Sequence, residues 1–223
     1  MVRLPRALDE RAQIIATEVL GFGSAAKLLS SPYPLGGYNG FEIGMSSEFI
    51  PIDDVSRLGS KSDDRGEYSF YNLSVGKGLF YNLDAYVHFT PFPQEEEVSG
   101  YGGMLRWAFW NFQSFPASLS LITHANTANF SNQITTTTVG ADVVASVNME
   151  QVSLYFGAGT GRAQGAFIGG TKGITASGDS TRVNVSEDHT LFGIHMRLSK
   201  MFLALQVDRY VNSTYSGKLG FRF

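Results

Sequence analysis

The sequence predicts an all-β fold: a transmembrane antiparallel up-and-down β-barrel of about ten strands, preceded by an N-terminal amphipathic helix. Three observations carry that expectation. Segment after segment alternates apolar and polar residues at period two, giving each one oily and one polar face. Charged residues make up only 17% of the chain, below the roughly 25% of soluble domains, yet no apolar run approaches the roughly 18 residues of a membrane helix. The alternating segments each lie near the roughly 9 to 11 residues that cross a bilayer at a tilt. Only alternate residues of a barrel strand face lipid, so the mean hydropathy stays close to neutral, at -0.04.

At 223 residues a single barrel domain is expected, with residues 1–37 as helix and connector and residues 38–223 as the barrel. There are no cysteines, which excludes disulfides, thiolate metal sites and cysteine nucleophiles. A net charge of -3 offers no concentrated basic surface, so nucleic acid is not expected as a partner. Met1 to Pro5 lack the apolar core and cleavage site of a secretory signal, so the numbering reads as that of a mature or trimmed chain. No cofactor is expected.

From Leu4 to about Leu29, the residues Leu8, Ala12, Ile15, Val19, Phe22, Ala26 and Leu29 recur at alternating spacings of four and three, one face of a helix. Asp9 and Glu10 stand at its start, where the dipole favours acids, and Gly21 and Gly23 end or kink it. The apolar stripe needs cover. It is expected along the inner, periplasmic membrane interface, with a plug inside the barrel or packing on another protein as alternatives. Ser30 to Tyr38 (SSPYPLGGY) reads as an extended connector.

The first strand, Phe41 to Ile50, puts Phe41, Ile43, Met45 and Phe49 outward and Glu42 and Glu48 inward. A polar loop, Pro51 to Gly66, leads to a second strand, Glu67 to Gly76, with Tyr71, Leu73 and Val75 outward and a tight turn at Gly76-Lys77-Gly78. The third, Tyr81 to Thr90, points Asp84 and His88 inward. After the acidic loop Pro93 to Gly100, the stretch Gly103 to Phe112 places Leu105, Trp107 and Phe109 outward and Arg106 inward. The next two strands, Ala117 to Phe130 and Ile134 to Val147, carry His124, Asn126 and Asp142 on their polar faces. Val152 to Arg162 turns Gly157, Gly159 and Gly161 inward, and Ala163 to Ser186 reads as two strands running past the membrane into a projecting hairpin or loop. Thr190 to Leu198, Phe202 to Val211 and Tyr215 to Phe223 complete the set. Eight and twelve strands stay as alternatives.

An even count puts both chain ends in the periplasm, with short turns after even strands and mostly longer loops after odd ones. Aromatics then form two girdles, Phe41, Tyr81, Phe221 and Phe223 at one rim and Phe49, Phe89 and Tyr215 at the other.

The final strand, YSGKLGFRF, alternates Tyr215, Gly217, Leu219, Phe221 and Phe223 with Ser216, Lys218, Gly220 and Arg222 and ends on a bare phenylalanine. It resembles the C-terminal strand of Gram-negative outer-membrane β-barrel proteins. The resemblance spans about Tyr38 to Phe223 and identifies no subfamily. It implies residence in the cell outer membrane among lipid and lipopolysaccharide, and it implies that Tyr215, Leu219, Phe221 and Phe223 are read by the barrel-assembly machinery.

The inward set gathers Glu42, Glu48, Asp84, Asp142 and Asp208 against Arg106, Arg197, Lys218 and Arg222, with His88, His124 and His195. Signs nearly balance. An interior only slightly wider than that of an eight-stranded barrel lets these charges pair across it, so the expected protein is structural or weakly conducting for small solutes, with a charged, filled lumen. A narrow channel lined by the same charges is one alternative. An adhesin or partner-binding barrel acting through its external loops on an extracellular ligand is another, and an outer-membrane lipid- or peptide-hydrolysing enzyme a third. No nucleophile motif such as G-x-S-x-G accompanies the histidines and none has metal-ligand spacing, so no catalytic or metal residue is assigned. The Gly157–Gly161 run sits inside a strand, where small residues make room for an inward arginine, an aromatic or the helix. Asp53, Asp54, Asp63, Asp64 and Glu95 to Glu97 read as a solvated rim.

Overall fold

The computed structural model describes residues 6–59, 67–91, 98–112, 115–171 and 173–223. Among these, ten strands close into one antiparallel ring in which each strand pairs with its neighbours in sequence and the last pairs with the first. The strands are β1 (Phe41–Pro51), β2 (Glu67–Gly78), β3 (Leu83–Phe89), β4 (Val98–Asn111) and β5 (Ala117–Phe130), then β6 (Ile134–Met149), β7 (Val152–Phe167), β8 (Thr181–Leu198), β9 (Met201–Arg209) and β10 (Ser213–Arg222). Helix α1 (Glu10–Thr17) and a π-helical turn (Glu18–Phe22) precede them, and a short α2 (Asp53–Ser56) lies in the β1–β2 connection. The seam runs from Glu42 opposite Arg222 to Phe49 opposite Tyr215, which leaves no open edge there.

Alternation sorts the two faces as expected. Met45, Val87, Leu105, Val143, Phe156, Phe192, Leu205 and Leu219 are exposed on the outside, with Tyr81, Trp107, Phe221 and Phe223 towards one rim and Phe49, Phe89, Tyr101 and Tyr215 towards the other. This is an apolar belt between aromatic rings, the surface that lipid contact selects.

One boundary differs from the sequence expectation. The β2–β3 turn lies at Leu79 to Asn82, with Tyr81 and Asn82 at φ 55° and 60°, and not at Gly76-Lys77-Gly78. Those two glycines stay in the strand because backbone and ring press on them: a Cβ at Gly78 would stand 2.2 Å from the Gly37 carbonyl and one at Gly76 2.4 Å from the Tyr86 ring. The projecting region is, as expected, two strands that run on past the belt. β7 continues to Phe167 and β8 begins at Thr181, and residues Thr181 to His189 pair only with β7. Outward positions there are polar (Thr160, Arg162, Gln164, Arg182, Asn184, Ser186, Asp188), so β5 to β8 form a one-sided wall standing above the apolar belt. Asp63, Asp64 and Glu95 to Glu97 fall outside the described residues.

The largest correction concerns the N-terminal segment. It lies inside the barrel and not along the membrane interface. Leu8, Ala12, Ala16, Val19 and Leu20 pack with Ile50, Ile52, Val55, Val98, Phe130, Ile134, Phe167 and Ile174 at the loop end of the lumen. Leu28 and Leu35 join Tyr86, Met104, Ile122, Val144, Tyr155 and Leu191 nearer the other end. The apolar stripe therefore finds cover in protein, and the inward glycines of β7 are what admit it. A Cβ at Gly165 would stand 2.2 Å from Thr17 Oγ1 and one at Gly161 3.2 Å from the Phe22 ring. Asp9 caps α1 by accepting from the Ala12 N–H at 2.8 Å. The helical part stops at Gly23, as the two glycines suggest, and the chain descends from there in irregular form.

Candidate functional site

The lumen gathers the ionisable residues into three nodes, each shared between strands and the threaded segment. At the end nearest the chain's C-terminus, β3 and β4 place Asp84 directly opposite Arg106. Both are fully buried. Arg106 donates from Nε and Nη2 to Asp84 Oδ2 at 3.1 and 2.6 Å, from Nη2 to the Tyr33 carbonyl at 2.9 Å, and from Nη1 to the Ser31 carbonyl. Its plane lies over the Tyr86 ring at 5.4 Å. The other Asp84 oxygen accepts from the Leu35 N–H at 3.0 Å. A rigid guanidinium fork thus ties strand wall to threaded backbone, work that a lysine's point charge does less well.

Beside it, Glu42 on β1 takes Lys218 Nζ from β10 at 2.8 Å and Ser30 Oγ from the segment at 2.6 Å. Arg222 donates to the Tyr33 carbonyl at 3.3 Å and to that of Pro34. Further along the lumen Glu48 accepts from Lys27 Nζ at 2.7 Å and from Asn72 Nδ2 at 2.9 Å, while Lys27 also donates to the carbonyls of Gly23 and Ala25. Those carbonyls follow the helix end, where orphan acceptors need donors. His88 Nε2 meets Asn126 Oδ1 at 2.8 Å, and Asn126 Nδ2 donates to the Ser24 carbonyl at 2.5 Å.

The third node centres on His189. Its Nδ1 lies 2.6 Å from Asp142 Oδ1 and its Nε2 3.0 Å from Asp208 Oδ1. One ring face stacks on Tyr210 at 4.0 Å, and Tyr210 stacks in turn on Phe22 of the π turn at 4.5 Å. Asp142 on β6 and His189 on β8 flank Gly159 on β7, and they meet only because no side chain stands between them: a Cβ there would be 2.1 Å from the Ala141 carbonyl and 2.4 Å from Asp142 Oδ1. His124 Nε2 approaches Asp142 at 3.6 Å, beyond a hydrogen bond. Gln206 links this node to the rest, donating to Asp208 at 2.8 Å and accepting from Tyr155 Oη and the Leu29 N–H.

Eleven of the twelve lumen positions expected from parity therefore face inward, Glu42, Glu48, Asp84, His88, Arg106, His124, Asp142, His195, Asp208, Lys218 and Arg222. Arg197 does not join them. It sits one residue from the end of β8 beside the Ser199-Lys200 turn and is exposed, because parity persists past the rim where the lumen ends. His189 and Tyr210 escaped sequence reading, although both continue an inward parity, His189 six residues before His195 and Tyr210 two after Asp208. Lys27 and Ser30 escaped as well, since the segment that carries them was expected outside. Tyr215, Leu219, Phe221 and Phe223 are exposed on the outer face. Outside the strands, the Glu18 carboxyl in the π turn is raised above its ordinary value, chiefly by burial and secondly by the charge of Glu187.

These features define a membrane-type β-barrel, of the outer-membrane architecture, whose lumen is filled by its own chain. No family model matches the sequence, and no curated protein matches it. Among solved structures, similarity is found to the N-terminal β-barrel domain of Pseudomonas aeruginosa OprF, at 11% identity over 84% of this chain and 99% of that one with a TM-score of 0.44. Ail, the attachment invasion locus protein of Yersinia pestis, gives 15% identity, 82% and 97% coverage and a TM-score of 0.31. Neisserial surface protein A gives 12%, 82% and 94%, and 0.30.

Proposed function

We propose that the protein is an outer-membrane barrel closed to solutes, a structural and surface-presenting element whose lumen serves to hold a polypeptide in place. The observation that carries this is the occupancy of the lumen by residues 8–35, hydrogen-bonded at the Asp84–Arg106–Glu42 and Glu48 nodes and tied to the His189 node through Gln206, which accepts from the Leu29 N–H. Charges spent on the threaded backbone are not available to hydrated ions, and a filled interior offers no water path. Lipid and lipopolysaccharide surround the belt, and the terminal strand is the part that the assembly machinery reads. His189, held by carboxylates at both nitrogens and stacked on Tyr210, has no free nitrogen to relay a proton to a substrate, which weighs against hydrolysis.

A second reading is favoured by the one-sided wall. Strands β5 to β8 carry a polar outer face above the belt, which suits contact with an extracellular partner more than a purely structural barrel needs. Planar-bilayer recording tests the closed lumen: the full chain should give no stable single-channel steps. The variant lacking residues 1–35, refolded in detergent, should conduct. Clear steps from the full chain would make it a diffusion channel instead.

A further inference from the structure

The threaded segment has a direction, and the direction has a topological consequence. Leu8 is paired with the β7–β8 connection: its N–H donates to the Ile174 carbonyl at 2.7 Å and its carbonyl accepts from the Ala176 N–H at 2.9 Å, a parallel bridge opposite Thr175. The backbone of Arg6 lies against the β1–β2 connection, so close that a Cβ at Gly59 would be 2.2 Å from the Arg6 carbonyl. Two separate loops after odd strands thus hold the same few N-terminal residues.

The exit lies at the other end. Tyr33 Oη donates at 2.6 Å to the Pro116 carbonyl in the turn before β5, Gly78 N donates to the Gly40 carbonyl at 3.0 Å, and Phe41 exchanges backbone hydrogen bonds with Phe223. The full length of β1, 11 residues or about 35 Å of strand, separates the exit from the loop end. Arg6 and Phe223 therefore stand at opposite mouths, whereas an even strand count by itself would put both chain ends on one side.

We propose that the N-terminal part of the segment emerges on the outer face of the membrane, so that the barrel is a fixed conduit presenting Arg6 and Ala7 on the same surface as the β1–β2 and β7–β8 connections. This rests on the outer-membrane reading above, in which the short turns and Phe223 face the periplasm. The ligand-like occupant of the lumen is the chain itself, and the Arg106–Asp84–Glu42 and Glu48 nodes are its clamps. What stands outside is then a composite surface of the wall, the β7–β8 connection and Arg6 and Ala7, tied together through Leu8.

The absence of cysteine from the sequence makes the test direct. Single variants Arg6→Cys, Thr171→Cys and Lys200→Cys, all at exposed positions, are expressed in the outer membrane and treated with a membrane-impermeant maleimide. Arg6→Cys and Thr171→Cys should label on intact cells, and Lys200→Cys only after the outer membrane is permeabilised. Arg6→Cys following the Lys200→Cys pattern would overturn the proposal while leaving the barrel's orientation intact, and so would Arg6→Cys staying unlabelled in both states. If Thr171→Cys and Lys200→Cys label alike, the outer-membrane reading itself fails and takes the proposal with it. An epitope fused ahead of Met1 and read by antibody on intact cells gives a second measurement that needs no substitution; antibody binding only after permeabilisation would again overturn it.

Discussion

Replacing Arg106 by methionine keeps much of the side chain's volume and deletes its charge. In the parent the side chain is fully buried and bonded to Asp84 and to the carbonyls of Ser31 and Tyr33. The variant leaves the Asp84 carboxylate with the Leu35 N–H, but without its cation. Breaking a buried ion pair from one side costs about 3–5 kcal/mol. Stranding the Ser31 carbonyl adds about 1–3 kcal/mol where water does not reach it, while the Tyr33 carbonyl keeps Arg222 as donor; these losses share one network and do not sum. A loss of about 3–5 kcal/mol is therefore expected. Urea unfolding of detergent-refolded protein, followed by the gel mobility that distinguishes folded from unfolded barrel, measures it. The double variant Asp84→Asn/Arg106→Met should recover a large part, because both charges are then gone. A single variant that unfolds at the parent's urea midpoint would refute the account of this node as a clamp.

Gly159→Val should destabilise by about 1–3 kcal/mol or more through overpacking, since the first added atom meets both the Ala141 carbonyl and Asp142; the same unfolding assay checks it, and an unchanged midpoint would remove Gly159 as the reason that Asp142 and His189 meet. Glu18 carries a raised carboxyl pKa, so its ionised form costs folded-state stability: the penalty is absent in acid, below the unfolded-state value, and complete once the pH passes the raised value. Glu18→Gln should then be more stable than the parent at neutral pH and equal to it in acid, and an equal gain at both pH values would sink that assignment. Deleting Phe223 should lower the amount of barrel assembled in the outer membrane while leaving detergent refolding largely intact, because its exposed ring contributes little core beyond rim contacts with the Phe41 ring and Lys200; unchanged levels in membrane fractions would count against recognition.

The barrel was legible because lipid on one side and a polar interior on the other write themselves into every second residue. Met45 against Ser46 or Val143 against Asp142 states the side directly. Other parts were not legible for equally physical reasons. The upper halves of β7 and β8 read as strands running on without clear bounds, because glycines face a helix and polar residues face water, so little apolar parity remains to mark where each strand ends. The stripe from Leu8 to Leu29 asks only for an apolar neighbour, and a bilayer interface satisfies it as well as a lumen does; nothing in its own spacing names Gly161 and Gly165 as the surface that receives it. Parity also carries no information about height. It admitted Arg197 beyond one rim and lost His189 when β8, which begins at Thr181, was begun nine residues too late at Thr190.

The hydrogen bonds that bind the segment also constrain the order of events in assembly. Pushing the segment lengthwise through a finished ring would mean threading, which folds avoid, and it would have to drag Lys27 past nodes already paired. The segment's partners Glu42 and Glu48 lie on β1, only 12 and 21 residues from Ser30 and Lys27, so it can settle against the first hairpin while the sheet is still open and gain local contacts early. β10, last in the chain, joins β1 from Glu42 to Phe49, and that pairing is what shuts the sheet around the segment. The seam between first and last strand is thus a buckle over the contents: Glu42 takes Lys218 across it and Ser30 of the segment on its other oxygen, so one carboxylate holds both the closure and what is enclosed.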